Sequence, residues 1–126
     1  MSANHPIVPV YADVEAAAAR LKGHAVLTPL VESPLLSERV GGRVFLKLEI
    51  LQRTGSFKFR GAYNRLAQLT PEQRTHGVVA FSSGNHAQAI AFAAQVNGIS
   101  CEIFVPAGAS LSKIAACRSE EHTSEL

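Results

Sequence analysis

The sequence has 126 residues, of which 47% are apolar and 17% are charged, and its formal net charge is +2. These values are typical of one globular domain with its own core. The small net charge gives no reason to expect nucleic acid or an anionic membrane as a partner. Cys101 and Cys117 have neither metal-site spacing nor the number needed for a disulfide framework. No secretory signal or span of about 20 apolar residues is evident, so we expect a soluble cytoplasmic protein.

Predicted helices and strands alternate along the chain. Asp13, Ser33 and Ser56 are each placed to cap the N-terminus of a helix. Residues 43–49 alternate polar and apolar side chains, which predicts a strand, whereas the wholly apolar Val78–Phe81 is typical of a strand buried on both faces. The predicted helices cover about residues 13–22, 34–41, 57–69, 71–77 and 85–96, with another from about 111, and the predicted strands cover residues 43–49, 78–81 and 100–105.

This order of elements predicts an α/β fold. Strands that alternate with helices form a parallel sheet with right-handed crossovers. In such sheets, ligands bind where the carboxyl ends of strands lead into helix N-termini. Two polar turns occupy positions of this kind, one at residues 54–62 and one at residues 82–88. We therefore expect the two turns to form one site.

The first turn, Thr-Gly-Ser-Phe-Lys-Phe-Arg-Gly-Ala, places Lys58 at the start of a predicted helix. A lysine that attacks an aldehyde must be neutral, and the partial positive charge of a helix N-terminus disfavours the ammonium form. Phe57 and Phe59 on either side could keep water away. These features are compatible with a lysine that binds a cofactor covalently. Taken alone, an ordinary solvated lysine explains so short a pattern better.

The second turn, Ser-Ser-Gly-Asn-His-Ala-Gln, has the groups of an anion site. Backbone N–H groups and hydroxyls at a helix N-terminus suit a substrate carboxylate. Asn85 offers an amide for a phenolate oxygen on a cofactor ring, Ser83 offers a hydroxyl for proton transfer, and His86 could contact the carboxylate. Considered alone, a plain capped turn is the better explanation. His86 has no Cys or acidic residue at ligand spacing, so no metal site is predicted.

Together the two turns resemble the serine/threonine dehydratases, which belong to the fold type II, tryptophan-synthase-β-like enzymes that use pyridoxal 5′-phosphate (PLP). Residues 47–62 resemble the PLP-lysine signature of that family, and residues 82–88 resemble its substrate loop. Agreement also extends to Thr-Pro-Leu at 28–30, Val-Pro at 105–106 and Ser-Lys at 112–113. The resemblance covers about residues 10–117. It implies a three-layer α/β fold with a parallel sheet, of which this chain is the N-terminal part.

The resemblance implies a role for the polar residues of both turns. Lys58 would bind PLP covalently and move the α-proton of the substrate. Phe57 would lie beside the cofactor, and Asn85 would hydrogen-bond its 3-oxygen. The substrate carboxylate would be held by Ser82, Ser83, Asn85 and His86. Ser83 also resembles the serine that protonates the opposite face in eukaryotic-type serine racemases.

The implied reaction is a PLP-dependent β-elimination of water from L-threonine or L-serine, which gives a 2-oxo acid and ammonia. This is the activity of a threonine or serine dehydratase in amino-acid metabolism, including isoleucine biosynthesis. Serine racemase is the nearest alternative, and a cysteine-synthase or threonine-synthase role fits both turns less well. A short non-catalytic domain that binds carboxylates is the alternative of another class. We also expect the full-length protein to be a homo-oligomer.

The last nine residues differ abruptly from the apolar helical pattern before them. Residues 118–126 read Arg-Ser-Glu-Glu-His-Thr-Ser-Glu-Leu and resemble the in-frame translation of a common sequencing-library adapter. We therefore expect residues 1–117 to be an N-terminal fragment of a catalytic domain and residues 118–126 to be a non-native tail; a frayed polar terminus is the alternative. The family's phosphate-binding loop would then lie beyond Cys117. On that basis we expect the fragment to bind PLP poorly and to be inactive alone.

Overall fold

The computed structural model describes residues 8–108, together with residues 112, 114, 115 and 118. Most of the helix predicted from about residue 111, and the boundary predicted after residue 117, lie outside these residues. None of the described helices combines the length and the apolar composition that a membrane crossing requires. The described elements follow the order α1 (Tyr11–Leu21), β1 (Leu30–Glu32), α2 (Pro34–Val40), β2 (Phe45–Lys47), two 3-10 turns (Glu49–Leu51 and Arg53–Gly55), α3 (Lys58–Leu66), α4 (Pro71–His76), β3 (Val78–Phe81), α5 (Asn85–Asn97) and β4 (Cys101–Phe104).

The helices begin close to their predicted N-termini, but the capping of α1 differs from the prediction. Asp13 is the third residue of α1 and not its N-cap, and its carboxylate accepts a hydrogen bond from the Val10 N–H at 2.8 Å. A carboxylate in the first turn is favourable because it complements the partial positive charge there. Ser33 does cap α2, since its hydroxyl accepts the Leu36 N–H. Helix α3 ends earlier than predicted because its C-terminal residues adopt tighter i to i−3 hydrogen bonds.

The described strands form two separate pairs and not one continuous parallel sheet. Strand β1 pairs antiparallel with β2, with Val31 opposite Leu46. The sequence did not predict β1, because three residues after a proline are too few to show alternation. Strand β3 pairs parallel with β4, with Val79 opposite Glu102, and α5 connects them. The predicted parallel arrangement is therefore correct for the strands beside the second polar turn.

The core lies between the β3–β4 pair and the helices α3 and α5, which pack against each other. Phe59 and Leu66 of α3 are the largest fully buried side chains, and burial of each stabilises the fold by about 1.5–3 kcal/mol. The Phe59 ring lies 5.6 Å from the ring of Phe92 in α5, edge to face. Small side chains on α5 allow this close approach; the buried ones are Ala87, Ala89, Ala91, Ala93 and Ala94.

Described residues cover only one face of the β3–β4 pair. Side chains of a strand alternate between its two faces; α5 packs on the face that carries Val78 and Ala80, and α3 packs against α5. On the other face Val79 and Phe81 are 69% and 72% exposed, and Phe104 is 51% exposed. The prediction that Val78–Phe81 is buried on both faces is thus wrong for the described part of the chain.

Gly77, which joins α4 to β3, allows a test of the close contact between this residue and Ser100. Its φ is 75°, and a Cβ built there would contact the Ser100 hydroxyl and lie 2.8 Å from the Ser100 carbonyl oxygen. We expect Gly77→Ala to lower the free energy of unfolding by about 2–4 kcal/mol, because the ψ of −170° at this φ gives a backbone conformation that essentially only glycine adopts, and the steric overlap adds to that cost. Urea unfolding followed by circular dichroism measures the change.

Gly98→Ala is the matched control, because Gly98 has a φ of 63° but no atom within 4 Å of its built Cβ. It should lose only about 1 kcal/mol. Equal losses for the two variants would show that the contact between Gly77 and Ser100 is not tight.

Candidate functional site

The lysine turn differs from the prediction in its surroundings: α3 begins one residue later, and Lys58 follows two 3-10 turns instead of a parallel strand, because β2 ends at Lys47 and pairs antiparallel with β1. The N-cap position is occupied by Phe57 and not by Ser56. Lys58 is the first residue of α3, and Phe57 immediately precedes the helix. Ser56 is buried, and its hydroxyl oxygen accepts a hydrogen bond of 3.4 Å from the Lys58 N–H. Ser56 therefore satisfies the first amide of α3, one of the donors that a helix leaves without an internal partner.

The Lys58 side chain is exposed and lies beside one of the two neighbouring phenylalanines. Its Nζ is 5.1 Å from the centre of the Phe57 ring, and Phe57 is 59% exposed. Phe59 is fully buried, so the prediction that it shields the lysine is wrong. Adjacent residues on a helix point about 100° apart, and the core contact takes Phe59 away from Lys58. Among the described residues no carboxylate pairs with Lys58, which leaves its amino group accessible to a carbonyl compound.

The backbone before Lys58 is strained. Thr54 has φ 60° and ψ 15°, and Gly55 follows with φ 70°. A β-branched residue in the left-handed region is uncommon and costs about 1–3 kcal/mol. The Thr54 hydroxyl oxygen is also buried with no hydrogen-bond partner among the described residues. Strain of this kind clusters at functional sites, but no sequence signal marks a threonine for positive φ, and Thr54 was not predicted as important.

A polar network of Thr28, Glu49 and Arg60 lies beside the lysine turn. The sequence did not predict it. The Arg60 guanidinium forms two hydrogen bonds with the Glu49 carboxylate, from Nε to Oε2 at 2.8 Å and from the NH2 group to Oε1 at 2.7 Å. Thr28, which is 3% exposed, donates its hydroxyl to Glu49 Oε1 at 2.5 Å. Chiefly because of the bonds from Arg60, the pKa of Glu49 falls from 4.5 to about 2. Both charged residues stood within the motif at 47–62, but the partner of each is visible only in the structure.

The second polar turn lies at the carboxyl end of β3, as predicted. The Ser82 N–H donates to the Phe104 carbonyl at 3.0 Å, which joins the turn to β4. The Ser82 hydroxyl accepts the Gly84 N–H at 3.3 Å. Ser83 is partly buried, whereas Asn85 and His86 are exposed in the first turn of α5. Hydroxyls, an amide and a helix N-terminus are thus gathered in one place.

Packing between α3 and α5 connects the two turns. Besides the Phe59–Phe92 contact, the guanidinium of Arg53, which directly precedes the lysine turn, lies 5.9 Å from the centre of the Phe92 ring. The structure therefore joins α3, which begins at Lys58, to α5, which begins two residues after Ser83. The roles of the individual turn residues remain predictions.

Comparison with known protein families identifies the family to which this chain belongs. The sequence profile of the family described as pyridoxal-phosphate dependent enzyme matches residues 21–123, most of the chain. The chain belongs to that family. The family's cofactor is PLP, which confirms the predicted cofactor.

Relatives of this family member include enzymes of several activities. An L-threonine ammonia-lyase of Thermotoga maritima is 52% identical over 106 residues, which are 84% of this chain and 26% of the relative. An L-threo-3-hydroxyaspartate ammonia-lyase of Pseudomonas sp is 53% identical over 108 residues, 86% of this chain and 34% of the relative. The crystal structure of serine racemase from Dictyostelium discoideum superimposes with a TM-score of 0.83 at 37% identity, over 89% of this chain and 37% of that chain. The predicted fold type II architecture is confirmed, and the chain spans about a quarter to a third of these curated relatives.

The described residues fit the ring end of PLP. Lys58 offers an accessible amino group for covalent attachment, and Phe57 offers an exposed apolar ring beside it. The N-terminus of α5 adds amide and hydroxyl donors for anionic oxygens. These groups match the aldehyde, the flat ring and the phenolate oxygen of the cofactor.

The low pKa of Glu49 predicts a loss of stability in acid. A carboxyl group whose pKa is lower in the folded state stabilises the fold above its unfolded pKa, here near 4.5, and loses that effect as the pH falls towards 2. The full shift corresponds to about 3 kcal/mol. Because the Arg60 side chain is 33% exposed, solvent screening reduces the expected loss to about 1–2 kcal/mol.

Urea unfolding at pH 7, 4 and 2.5 tests this effect on the wild-type chain and on Glu49→Gln, which carries no titrating group. The advantage of the wild type over Glu49→Gln should shrink as the pH falls. Glu32→Gln, in the surface pair with Arg43, is the control for removing a carboxylate. A wild-type advantage that stays constant with pH would contradict the role of the ionised Glu49.

Proposed function

We propose that the protein containing this chain is a PLP-dependent ammonia-lyase that converts L-threonine or L-serine to a 2-oxo acid and ammonia by β-elimination. The observation that carries this proposal is the pair of polar turns at the N-termini of the packed helices α3 and α5, with Lys58 at one and Ser83 at the other. Relatives named as ammonia-lyases, 52% and 53% identical, support the reaction class. The proposal concerns the complete protein, since the chain covers only part of each relative.

In this proposal the lysine turn serves the cofactor and the proton. PLP, when bound, supplies an electron sink that amino-acid side chains lack. Lys58 would hold the cofactor and carry the α-proton on its Nζ, where a positioned base contributes about 10²–10⁴-fold to the rate. Phe57 would cover part of the ring and limit the access of water. The Asn85 side-chain amide would donate a hydrogen bond to the ring oxygen.

The second turn would bind the substrate carboxylate. Ser82 already accepts the Gly84 N–H, so its own hydroxyl proton is free to be donated to a carboxylate oxygen. Amides at the N-terminus of α5 add donors and a partial positive charge. The carboxylate-binding set is Ser82, Ser83, Asn85 and His86. Binding the carboxylate there would hold the α-carbon of the substrate between the two turns.

Replacement of the lysine tests the assignment directly. In the complete protein, Lys58→Ala should lower kcat/KM for L-threonine and L-serine at least about 10³-fold, because both covalent attachment and proton transfer are lost. Peptide mass spectrometry after borohydride reduction should find PLP on Lys58 in the wild type. Lys22→Ala, at the exposed C-terminal end of α1, is the control and should keep the wild-type rate. Full activity of Lys58→Ala would refute the proposal.

Serine racemase is the second candidate, favoured by the likeness to the Dictyostelium enzyme and by the hydroxyl of Ser83. A racemase needs a group that removes the α-proton on one face and a group that returns a proton on the other, whereas elimination needs a base for the α-proton on one face only. If the protein racemises serine, Ser83→Ala should abolish D-serine formation, whereas ammonia release should persist with a higher KM because one proposed carboxylate contact is lost. Chiral chromatography and an ammonia assay on the same reaction separate the two readings. The lyase alone predicts no D-serine from the wild type.

We further propose that residues 1–117 are the N-terminal part of a cytoplasmic homo-oligomeric enzyme and that residues 118–126 are a non-native tail. If the enzyme prefers L-threonine, it would act in isoleucine biosynthesis. Sequencing the source gene through the codon for Cys117 tests the boundary. A reading frame that continues into a glycine-rich segment supports it. A genuine stop codon after Leu126 favours the non-catalytic domain that binds carboxylates.

A further inference from the structure

The strained turn before Lys58 is attached on both sides to the backbone of one residue, Val26. On its N-terminal side the Gln52 side chain, 4% exposed, donates to the Val26 carbonyl and accepts the Val26 N–H, both at 2.9 Å. On its C-terminal side the Arg60 NH2 group donates to the same carbonyl at 3.3 Å. Thr54 and Gly55, the two residues with positive φ, lie between these attachments. Hydrogen bonds from residues on both sides of the turn therefore converge on the backbone of Val26.

Arg60 is itself held in one orientation. Its two hydrogen bonds to Glu49 match the planar fork of a guanidinium to the two oxygens of a carboxylate, which fixes direction as well as distance. Glu49 is fixed in turn by the buried hydroxyl of Thr28. The two charged side chains are 33% and 16% exposed, so the pair is partly desolvated. We call the set of Thr28, Glu49, Gln52 and Arg60 the brace.

The brace is strong enough to decide the shape of the turn. A left-handed threonine persists only where its surroundings hold it, at a cost of about 1–3 kcal/mol. Removing one partner from a buried ion pair costs about 3–5 kcal/mol, and from an exposed pair 1 kcal/mol or less. The partly buried pair of Glu49 and Arg60 lies between these limits. Its loss is therefore comparable with the strain, and Lys58 lies only two residues from Arg60.

We propose that the brace is a positioning element, which holds the Thr54–Gly55 turn and thereby fixes Lys58 at the start of α3 for covalent attachment of the cofactor. This inference rests on the proposed function of Lys58. Brace residues act through the backbone of the turn and are not assigned a contact with cofactor or substrate. Loss of the brace should loosen residues 54–58 before the rest of the fold.

Hydrogen–deuterium exchange of the complete apoprotein tests the local effect. Arg60→Lys keeps the charge but not the fork, and Glu49→Gln keeps the shape but not the charge. Both should speed amide exchange in peptides covering residues 54–59 about tenfold or more, with exchange in α5 unchanged. The chain offers matched controls in Arg43→Lys and Glu32→Gln, because this surface pair has the same two-bond geometry, at 3.1 and 2.9 Å. Equal acceleration in α5 would mean a general loss of stability and would overturn the inference.

Reductive trapping of PLP is the second readout. The rate at which borohydride fixes PLP on Lys58, divided by the rate on the exposed Lys22, should fall about tenfold in both brace variants and stay constant in the control variants. No selective trapping on Lys58 in the wild type would refute the proposed function itself. Selective trapping that is equal in the wild type, Arg60→Lys and Glu49→Gln would refute only the brace.

Thr28→Val provides a further test of the brace if Arg60→Lys and Glu49→Gln do not fold. It removes the hydroxyl that donates to Glu49 and preserves the shape of the side chain. Exchange at residues 54–59 should then rise, and the trapping ratio should fall, by about threefold. Thr28→Ser, which retains the hydroxyl, should keep both the exchange rate and the trapping ratio at their wild-type values. Failure of Thr28→Val to change either value would contradict the brace.

Discussion

Packing of α3 against α5 is the contact on which both halves of the candidate site depend. Phe59 is fully buried between the helices and touches Phe92. Because Phe59 directly follows Lys58, its burial turns the preceding side chain towards solvent. The same contact sets the position of the N-terminus of α5, where the Ser-Ser-Gly-Asn turn lies. One apolar contact thus determines the exposure of the lysine and its relation to the proposed carboxylate site.

Polar interactions, and not the apolar core, determine the conformation of the turn before α3. The apolar contact fixes α3 as a whole, but it does not determine the conformation of the turn that precedes it. There the backbone has positive φ at Thr54 and Gly55. Side chains of Gln52 and Arg60 hydrogen-bond the flanks of this turn to the backbone of Val26. Buried polar networks stabilise a structure only when their members are satisfied, and in return they specify one geometry. The proposed covalent role of Lys58 requires a defined geometry of this kind.

The uncovered face of the β3–β4 pair bears on the size of the whole protein. Phe81 and Phe104 are paired residues on this face, and Val79 lies two residues away on the same side. An apolar patch of this kind marks an interaction surface. Relatives of 52% and 53% identity are about three to four times as long as the matched region. Both observations support the proposal that this chain is part of a longer protein.

Local chemistry within the sequence determined most of the helices, the capping serine at residue 33, and the position of the second polar turn at the carboxyl end of β3. These signals act over a few residues and could be read directly. Only the tertiary structure decided that β1 pairs antiparallel with β2, that one face of β3 stays exposed, and that Phe59 enters the core. It also decided the left-handed Thr54 and the joining of Thr28, Glu49 and Arg60. Each of these depends on contacts between residues far apart in the chain, whose partners no local pattern identifies.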